Sequence, residues 1–139
     1  MALTNVDALA KVPIFSGLTP RQLRKILRAT EEYTYPDGTT IVAEGALNEQ
    51  LYVILEGNVK VRRVGRTIAR MGSGEFFGEI AVIDGLPRTA SVISHGPVRC
   101  LVLLRKEFFQ VIDAAPQVGW KVLRTLATRL RERQASDRA

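Results

Sequence analysis

The segment GEFFGEIAVIDGLPRTA, residues 74–90, contains the residues whose types and spacing best suit ligand chemistry. Gly78 comes directly before a carboxylate, Glu79, which begins a short apolar stretch, and Arg88 follows a proline. Backbone amides and a guanidinium bind phosphate well, and a carboxylate accepts hydrogen bonds from sugar hydroxyls. This segment, called the cassette below, therefore predicts a site for a small phosphorylated ligand.

Residue types that serve in catalysis are not arranged for it in this sequence. Ser91, Ser94 and His95 have no acidic residue near them in sequence, and we interpret them as polar positions of strands and turns. Cys100 is the one cysteine and lies in an apolar stretch, so with a single histidine the chain predicts neither a disulfide nor a metal site. We therefore expect a protein that is not an enzyme and that uses no metal or cofactor.

The composition is that of an ordinary folded domain. The chain has 139 residues, of which 46% are hydrophobic and 24% charged, and this suits one domain with a hydrophobic core. Its apolar runs are shorter than the ~20 residues that a membrane-spanning helix needs. The first residues lack the pattern of a signal peptide. We expect a cytoplasmic domain without a membrane span.

The net charge is +6, and the basic residues cluster in three parts of the chain. The clusters are Arg21, Arg24, Lys25 and Arg28; Arg62, Arg63, Arg66 and Arg70; and the arginines of positions 124–138. Such a charge raises the alternative of direct nucleic-acid binding. Solvated helix faces, together with a field that attracts an anionic ligand, explain the same charge, and we favour this interpretation.

The cassette needs a frame, and the periodicity of the sequence predicts one made of strands. Residues 31–104 form short β-branched and aromatic segments that are separated by Gly, Pro, Asn and Asp, with turns at residues 36–38, 57–58 and 65–66. Many short strands favour an antiparallel β-roll, of the double-stranded β-helix or jelly-roll type, that closes to protect its edges. The predicted fold class is therefore mainly β with flanking helices.

Helices are predicted on both sides of this roll. Residues 1–30 contain a short helix and then a second one, where Thr19, a proline and Gln22 give the pattern of a capping box. Residues 105–135 contain a short helix and a longer one over residues 117–133. Apolar residues recur in the longer helix at three- and four-residue spacings: Val118, Val122, Leu123, Leu126 and Leu130.

A β-roll between helices that carries FGEIA and then PRTA resembles the cyclic nucleotide-binding domain family. This family includes bacterial catabolite activator protein, the regulatory subunits of cyclic-AMP-dependent kinase and cyclic-nucleotide-gated channels. The resemblance extends through VPIFSGLTPRQL, YPDGTTIVAEG and LYVILEGNVKV to the last helix. It implies a single cyclic nucleotide-binding domain over residues 1–139, with the roll at 31–104, the cassette at 74–90 and a lid formed by the last helix.

The resemblance also implies roles for the residues of the cassette. Glu79 would accept a hydrogen bond from the ribose 2′-hydroxyl, and Arg88 would bind the exocyclic oxygens of the cyclic phosphate with its planar fork. The remaining contacts around the phosphate would come from Gly78, Ile80, Ala81, Thr89 and Ala90. Thr89 leaves the identity of the base open, since a hydroxyl here is compatible with both cyclic AMP and cyclic GMP. The overall pattern is similar to that of bacterial members of the family, and this similarity favours cyclic AMP.

The base would contact residues outside the cassette. Val61 and Ile68 correspond to the family's apolar platform, although core packing explains both positions equally well. From the last helix, Arg131 or Arg133 would cover the purine by stacking and hydrogen bonding. A solvated basic helix face is the alternative explanation for these two arginines.

These residues together predict a sensor whose last helix moves when a cyclic nucleotide binds. Its partners would be the nucleotide and an effector domain or protein, and the spacing of the last helix also suits pairing with a second copy. We expect no DNA-reading element in this chain. Two alternatives remain: a roll that binds no nucleotide and serves as an interaction or dimerisation module, and a basic nucleic-acid-binding protein.

Overall fold

The computed structural model describes residues 5–138, without the side chains of residues 136–138. The helices are α1 (Val6–Ala10), α2 (Pro20–Ala29), α3 (Glu79–Asp84), α4 (Arg105–Ala114) and α5 (Pro116–Arg138), with a 3₁₀ helix at Pro13–Phe15. The strands are β1 (Glu31–Tyr35), β2 (Thr40–Val42), β3 (Gln50–Arg63), β4 (Arg66–Gly72), β5 (Phe76–Phe77) and β6 (Ser91–Leu104). The predicted architecture, mainly antiparallel β with helices at both ends, is confirmed.

Two long strands, β3 and β6, form the centre of the sheet. They pair antiparallel from Gln50 opposite Leu104 to Arg62 opposite Ser91. The order of the sheet is β1-β6-β3-β4, and the short strands β2 and β5 pair with β6 and β3. Since β5 leads directly into α3, the central strand β3 positions the start of the cassette.

The turn predicted at residues 57–58 is wrong, because β3 continues through it as an irregular, bulged strand. The register with β6 shifts between Ile54 and Glu56 and again between Glu56 and Asn58. Gly57 has a φ of +99°, and a Cβ atom there would clash with the Pro97 carbonyl oxygen. A glycine that signals a turn in the sequence therefore permits a close approach of two bent strands.

The strands separate two apolar clusters. Leu51 and Val53 of β3 face the helices at the two ends of the chain, whereas Tyr52 and Ile54 face the interior of the roll. This alternation buries both faces of the strand, so the sequence reads there as a continuous apolar run. Cys100 is fully buried in the interior cluster, where burial raises the pKa of its thiol to about 12.

The helix starts follow the local signals of the sequence. In α2, the Thr19 hydroxyl accepts from the Gln22 amide at 3.1 Å and the Gln22 side chain accepts from the Thr19 amide at 2.9 Å, so the predicted capping box is confirmed. The last helix extends beyond the predicted residues 117–133, from Pro116 to Arg138. Of the helices among residues 5–138, none is long and apolar enough to cross a membrane.

The apolar residues of α5 divide between two faces. Val118 and Val122 are buried against the core, but Leu123 and Leu130 are 57% and 58% exposed, as is Trp120 at 69%. The apolar residues that recur along α5 therefore do not all pack on the core, since Leu123 and Leu130 face away from it. Three- and four-residue spacings from Val118 cover more than one side of a helix, and only the packing decides which side faces the core.

Candidate functional site

The cassette begins with a backbone conformation that only glycine adopts easily. Gly78 has a φ of +92° and caps α3, and Gly85 ends the same helix at a φ of +71°. A Cβ atom at Gly78 would lie 2.5 Å from the Gln50 carbonyl oxygen and 2.6 Å from Nη1 of Arg88. The chain is therefore in close contact with β3 and with the arginine of the cassette at this point, which explains a glycine directly before Glu79.

The Arg88 guanidinium is bound by polar groups at Nη2, whereas its Nε has no partner within the described part of the chain. The residue is 6% exposed, and its Nη2 donates to Oδ1 of Asn48 at 2.8 Å and to the Gln50 carbonyl at 2.6 Å. Its buried Nε has no hydrogen-bond partner among the described residues. Burial lowers the pKa of the guanidinium, while the electrostatic influence of Tyr52 and Glu79 opposes that change. A buried donor without a partner indicates a position for an acceptor.

The groups that hold Arg88 form a network that the sequence analysis missed. Asn48 donates to the Tyr52 hydroxyl at 3.1 Å, and this hydroxyl donates to Oε1 of Gln50 at 2.7 Å. The Tyr52 ring stacks on Phe77 with the ring centroids 4.8 Å apart. Two amide side chains at the start of a buried strand, one just before it and one as its first residue, are the signal that was available in the sequence. The network fixes the guanidinium before any ligand arrives.

Glu79 is buried and paired with an arginine of the last helix. The carboxylate is 5% exposed, and its Oε1 accepts from Nη1 of Arg129 at 2.8 Å. Nη2 of Arg129 donates to the Phe76 carbonyl at 2.7 Å, and its guanidinium lies 4.7 Å from the centroid of the Phe76 ring. Arg129 therefore joins α5 to both ends of the β5–α3 connection.

The sequence analysis did not single out Arg129, although a signal for it exists. Arg129 lies seven residues after the buried Val122, which itself follows the buried Val118 by four residues. These spacings place the three residues on one face of a helix. An arginine that continues a buried stripe is a candidate for an interior contact. Arg133, four residues after Arg129, continues the same stripe, whereas Arg131 lies off it.

One cavity collects the predicted cassette residues. It has a volume of about 120 Å³ and lies between the cassette, the roll and α5. Its lining consists of Val42, Val61, Met71, Phe77, Gly78, Glu79, Ile80, Ala81, Pro87, Arg88, Thr89, Ala90, Val92 and Arg129. The lining includes every cassette residue predicted for the ligand, and Val61 from the predicted base pocket.

The other residues predicted for the base lie outside this cavity. Ile68 and Arg133 line a groove of about 740 Å³ between β4 and α5, which shares Met71 and Arg129 with the cavity. Arg131 is exposed on α5 and belongs to neither lining. The structure thus separates the predicted base residues into one in the cavity, two in the groove and one on the surface.

This arrangement suits a ligand in which an anionic group lies close to a hydroxyl group that can donate a hydrogen bond. Arg88 offers a buried positive charge and an unused N–H, and Glu79 offers a buried carboxylate within the same lining. Among residues 5–138 there is no group of three or more His, Cys, Asp or Glu residues that could hold a metal ion. The site suits binding of a ligand that carries both a phosphate and a hydroxyl group.

The pairing of Arg129 with Glu79 predicts a stability difference between neighbouring arginine variants. Arg129→Met leaves a buried carboxylate without its cation, and we expect the free energy of unfolding to fall by about 1–3 kcal/mol. Arg131→Met, on the exposed side of the same helix, should change it by less than about 0.5 kcal/mol. Urea denaturation followed by circular dichroism measures both values, and equal losses in the two variants would contradict the pairing.

Comparison with known proteins places this geometry in a family. The family model described as the cyclic nucleotide-binding domain matches residues 32–115. The chain is 34% identical over 125 residues to the cyclic AMP receptor protein of Thermus thermophilus, covering 86% of this chain and 58% of that protein. It is 32% identical over 125 residues to a cyclic nucleotide-gated potassium channel of Rhizobium etli, covering 90% of this chain and 35% of the channel.

A solved structure gives the same result for the fold. The crystal structure of the Thermus thermophilus catabolite activator protein superposes with a TM-score of 0.81 at 33% identity, over 89% of this chain and 61% of that one. The chain therefore spans less than two thirds of the length of each of these relatives. With the profile match over most of the β-roll and this structural agreement, the chain belongs to the cyclic nucleotide-binding domain family.

Proposed function

We propose that this domain is a non-catalytic cyclic nucleotide sensor that binds cyclic AMP in preference to cyclic GMP. The observation that carries the proposal is the unpartnered, buried Nε of Arg88 in the same cavity as the buried carboxylate of Glu79. A cyclic nucleotide supplies an anion and a hydroxyl group at a short, fixed separation. The two groups are thus complementary to the two ends of a ribose 3′,5′-cyclic phosphate.

The phosphate end of the ligand lies at Arg88 in this proposal. Asn48 and Gln50 occupy one side of the guanidinium, so that its free Nε and the opposite edge remain for the exocyclic oxygens. Thr89 and Ala90 line the same cavity and contribute a hydroxyl group and a small side chain beside the anion. A charge-assisted bond inside a buried site is stronger than one at the surface.

The ribose end lies at Glu79. Its Oε1 is engaged by Arg129, and an ionised carboxylate has further lone pairs that accept from a 2′-hydroxyl. The guanidinium of Arg129 holds the carboxylate in a fixed orientation for that bond. The ribose contact therefore depends on the position of α5 as well as on the cassette.

The base extends from the cavity into the neighbouring groove. The cavity of about 120 Å³ is smaller than the ~300 Å³ at the low end of ligand sites. The groove of about 740 Å³ begins at Met71 and Arg129, which belong to both linings. We place the compact ribose phosphate in the cavity, with the purine on Val61 and near Ile68 and Arg133. The preference for cyclic AMP is supported by the name of the Thermus relative.

The output of the sensor is movement of α5. Arg129 links this helix to Glu79 and Phe76, so a ligand that contacts Glu79 alters the energy of the helix position. Such a ligand shifts the helix only by the difference between its affinities for the two positions. Arg131, which is exposed at present, reaches the ligand only if α5 rotates.

The exposed face of α5 offers a surface for a second copy of the chain. Trp120, Leu123, Ala127 and Leu130 are exposed at alternating three- and four-residue spacings. This is the repeat with which two helices pair in a coiled coil. We propose that the domain pairs through this face and works in the cytoplasm on an attached or separate effector.

A titration with three nucleotides tests the proposed function. By isothermal calorimetry we expect cyclic AMP to bind more tightly than cyclic GMP, and the 2′-deoxy analogue of cyclic AMP to bind about 10–100-fold more weakly because Glu79 loses its hydroxyl partner. In Glu79→Gln the difference between cyclic AMP and its 2′-deoxy analogue should shrink to a few-fold. The absence of heat with all three nucleotides would contradict the sensor and leave the interaction module as the explanation.

A further inference from the structure

Helix α5 is attached to the rest of the protein at a second point, eight residues before Arg129. The ammonium group of Lys121 donates to the Ser16 carbonyl at 2.6 Å, to the Ser16 hydroxyl at 2.8 Å and to the Pro13 carbonyl at 3.3 Å. A lysine ammonium has three donors, and here three acceptors face it. Lys121 therefore fixes the start of α5 to the 3₁₀ helix Pro13–Phe15.

The end of this 3₁₀ helix is built to receive a cation. The Ser16 carbonyl, directly after the helix, carries part of the negative charge of a helix C-terminus, and the Pro13 carbonyl at its start lies close enough to accept as well. The Ser16 hydroxyl donates to the Pro13 carbonyl at 2.9 Å, which leaves the hydroxyl's lone pairs for Lys121. The geometry of all three acceptors depends on this one short turn.

The same turn touches the cassette. A Cβ atom at Gly74, the first residue of the cassette, would lie 3.2 Å from Cδ of Pro13. The Gly74 amide also donates to the Ile54 carbonyl at 2.7 Å, so the cassette cannot move away from β3 at this point without breaking a backbone hydrogen bond. Two residues later, the Phe76 carbonyl accepts from Arg129. Lys121 thus contacts the 3₁₀ helix, the 3₁₀ helix contacts the cassette, and the cassette contacts Arg129. Both ends of this series of contacts belong to α5.

We infer that Lys121 is a positioning residue for the nucleotide site: it holds α5 against the 3₁₀ helix so that Arg129 reaches Glu79 and Phe76. Val118 and Val122 pack α5 on the core, and the polar contacts of Lys121 and Arg129 add a directional constraint on either side of this packing. Loss of the Lys121 contacts lets α5 shift on its apolar packing and weakens the contact of Arg129 with the cassette. For nucleotide binding, this inference rests on the proposed function.

Hydrogen exchange of the nucleotide-free protein tests the structural part of the inference. In Lys121→Met, which keeps the length of the side chain, we expect faster exchange at the 3₁₀ helix and the first turns of α5, and also at residues 76–84, which Lys121 does not touch. Lys121→Arg should restore slow exchange at residues 76–84. Lys106→Met, the same change at an exposed lysine of α4, should leave it unaltered. Faster exchange confined to the 3₁₀ helix and the start of α5 would overturn the inference.

A double-mutant cycle tests whether Lys121 acts through Arg129. Titration with cyclic AMP should show about fivefold weaker binding for Lys121→Met, the low end of typical coupling between sites. When Arg129→Met is already present, Lys121→Met should weaken binding no further, since the position of an absent arginine has no effect. Equal effects of Lys121→Met in both backgrounds would overturn the inference. A protein that binds no cyclic AMP fails this titration and the proposed function, yet the exchange experiment still decides the role of Lys121.

Discussion

Arg88→Met should weaken the binding of cyclic AMP by about 100-fold or more, since truncation of a buried charged partner costs about 2–5 kcal/mol. The variant keeps much of the apolar stem but leaves the phosphate charge unmatched in a partly enclosed cavity. It also removes the donor to Asn48 and to the Gln50 carbonyl, so that the opposite wall of the site loses its order. Calorimetric titration at fixed ionic strength measures the loss.

Two further variants separate the charge of Arg88 from its shape. Arg88→Lys keeps the charge but replaces the planar fork, and we expect it to recover only part of the affinity, because one ammonium cannot bond Asn48, Gln50 and a phosphate with the same geometry. Arg24→Met removes an exposed arginine of α2 and should leave the affinity unchanged. If a folded Arg88→Met protein bound cyclic AMP as tightly as the wild type, the phosphate would have to lie elsewhere.

Gly78→Ala should both destabilise the fold and remove nucleotide binding. A φ of +92° is strained for alanine, and the new Cβ would meet the Gln50 carbonyl at 2.5 Å and Arg88 at 2.6 Å. We expect a loss of about 2–4 kcal/mol in the free energy of unfolding, since backbone strain of this kind costs about 1–3 kcal/mol and the contacts with β3 add to it. Any relief of the clash moves Arg88 or α3, and either movement displaces the site.

Gly38→Ala is the matched control for this prediction. Gly38 also has a positive φ, +75°, but a Cβ atom there would meet nothing within 4 Å. Its substitution adds the backbone strain alone, about 1–2 kcal/mol, and should not affect binding. Denaturation curves and titrations of the two variants isolate the effect of the close approach at Gly78. If Gly78→Ala and Gly38→Ala lost the same stability and both still bound cyclic AMP, the close approach of Gly78 to Arg88 would not matter for binding.

The interpretation of the chain as a basic nucleic-acid-binding protein does not explain these features. The site contains a buried arginine and a buried carboxylate, whereas phosphate backbones of nucleic acids are bound by exposed basic side chains. Several of the basic residues of the chain also have internal roles. Lys121 and Arg129 bond to main-chain carbonyls, and Arg63 donates to the Thr89 carbonyl at 3.1 Å. Part of the net positive charge therefore serves the fold and the site.

Local signals determined much of this protein in advance. Three features depend only on neighbours within a few positions: the capping box of α2, the succession of strands, and the glycine directly before Glu79. Such features can be recognised without knowledge of the fold. The Glu79 and Arg88 pair was predicted for the same reason, because both belong to one short segment. The structure places them in one lining, but their roles toward a ligand stay a prediction.

Tertiary structure decided what depends on distant parts of the chain. Arg129 reaches Glu79 across 50 positions, and Asn48 reaches Arg88 across 40, so local patterns could mark these residues as candidates but could not identify their partners. Gly57 signalled a turn, but the approach of Pro97 made it a bulge in a continuous strand. The spacing of Leu123 suited either the core or a contact with a second copy, and the rotation of α5 about Val118 and Val122 left it exposed. The sequence by itself predicted the kind of ligand chemistry and the segment proposed to carry it, because both depend on residues within one short stretch. Which arginine of α5 meets that segment followed only from the packing of the helix on the roll.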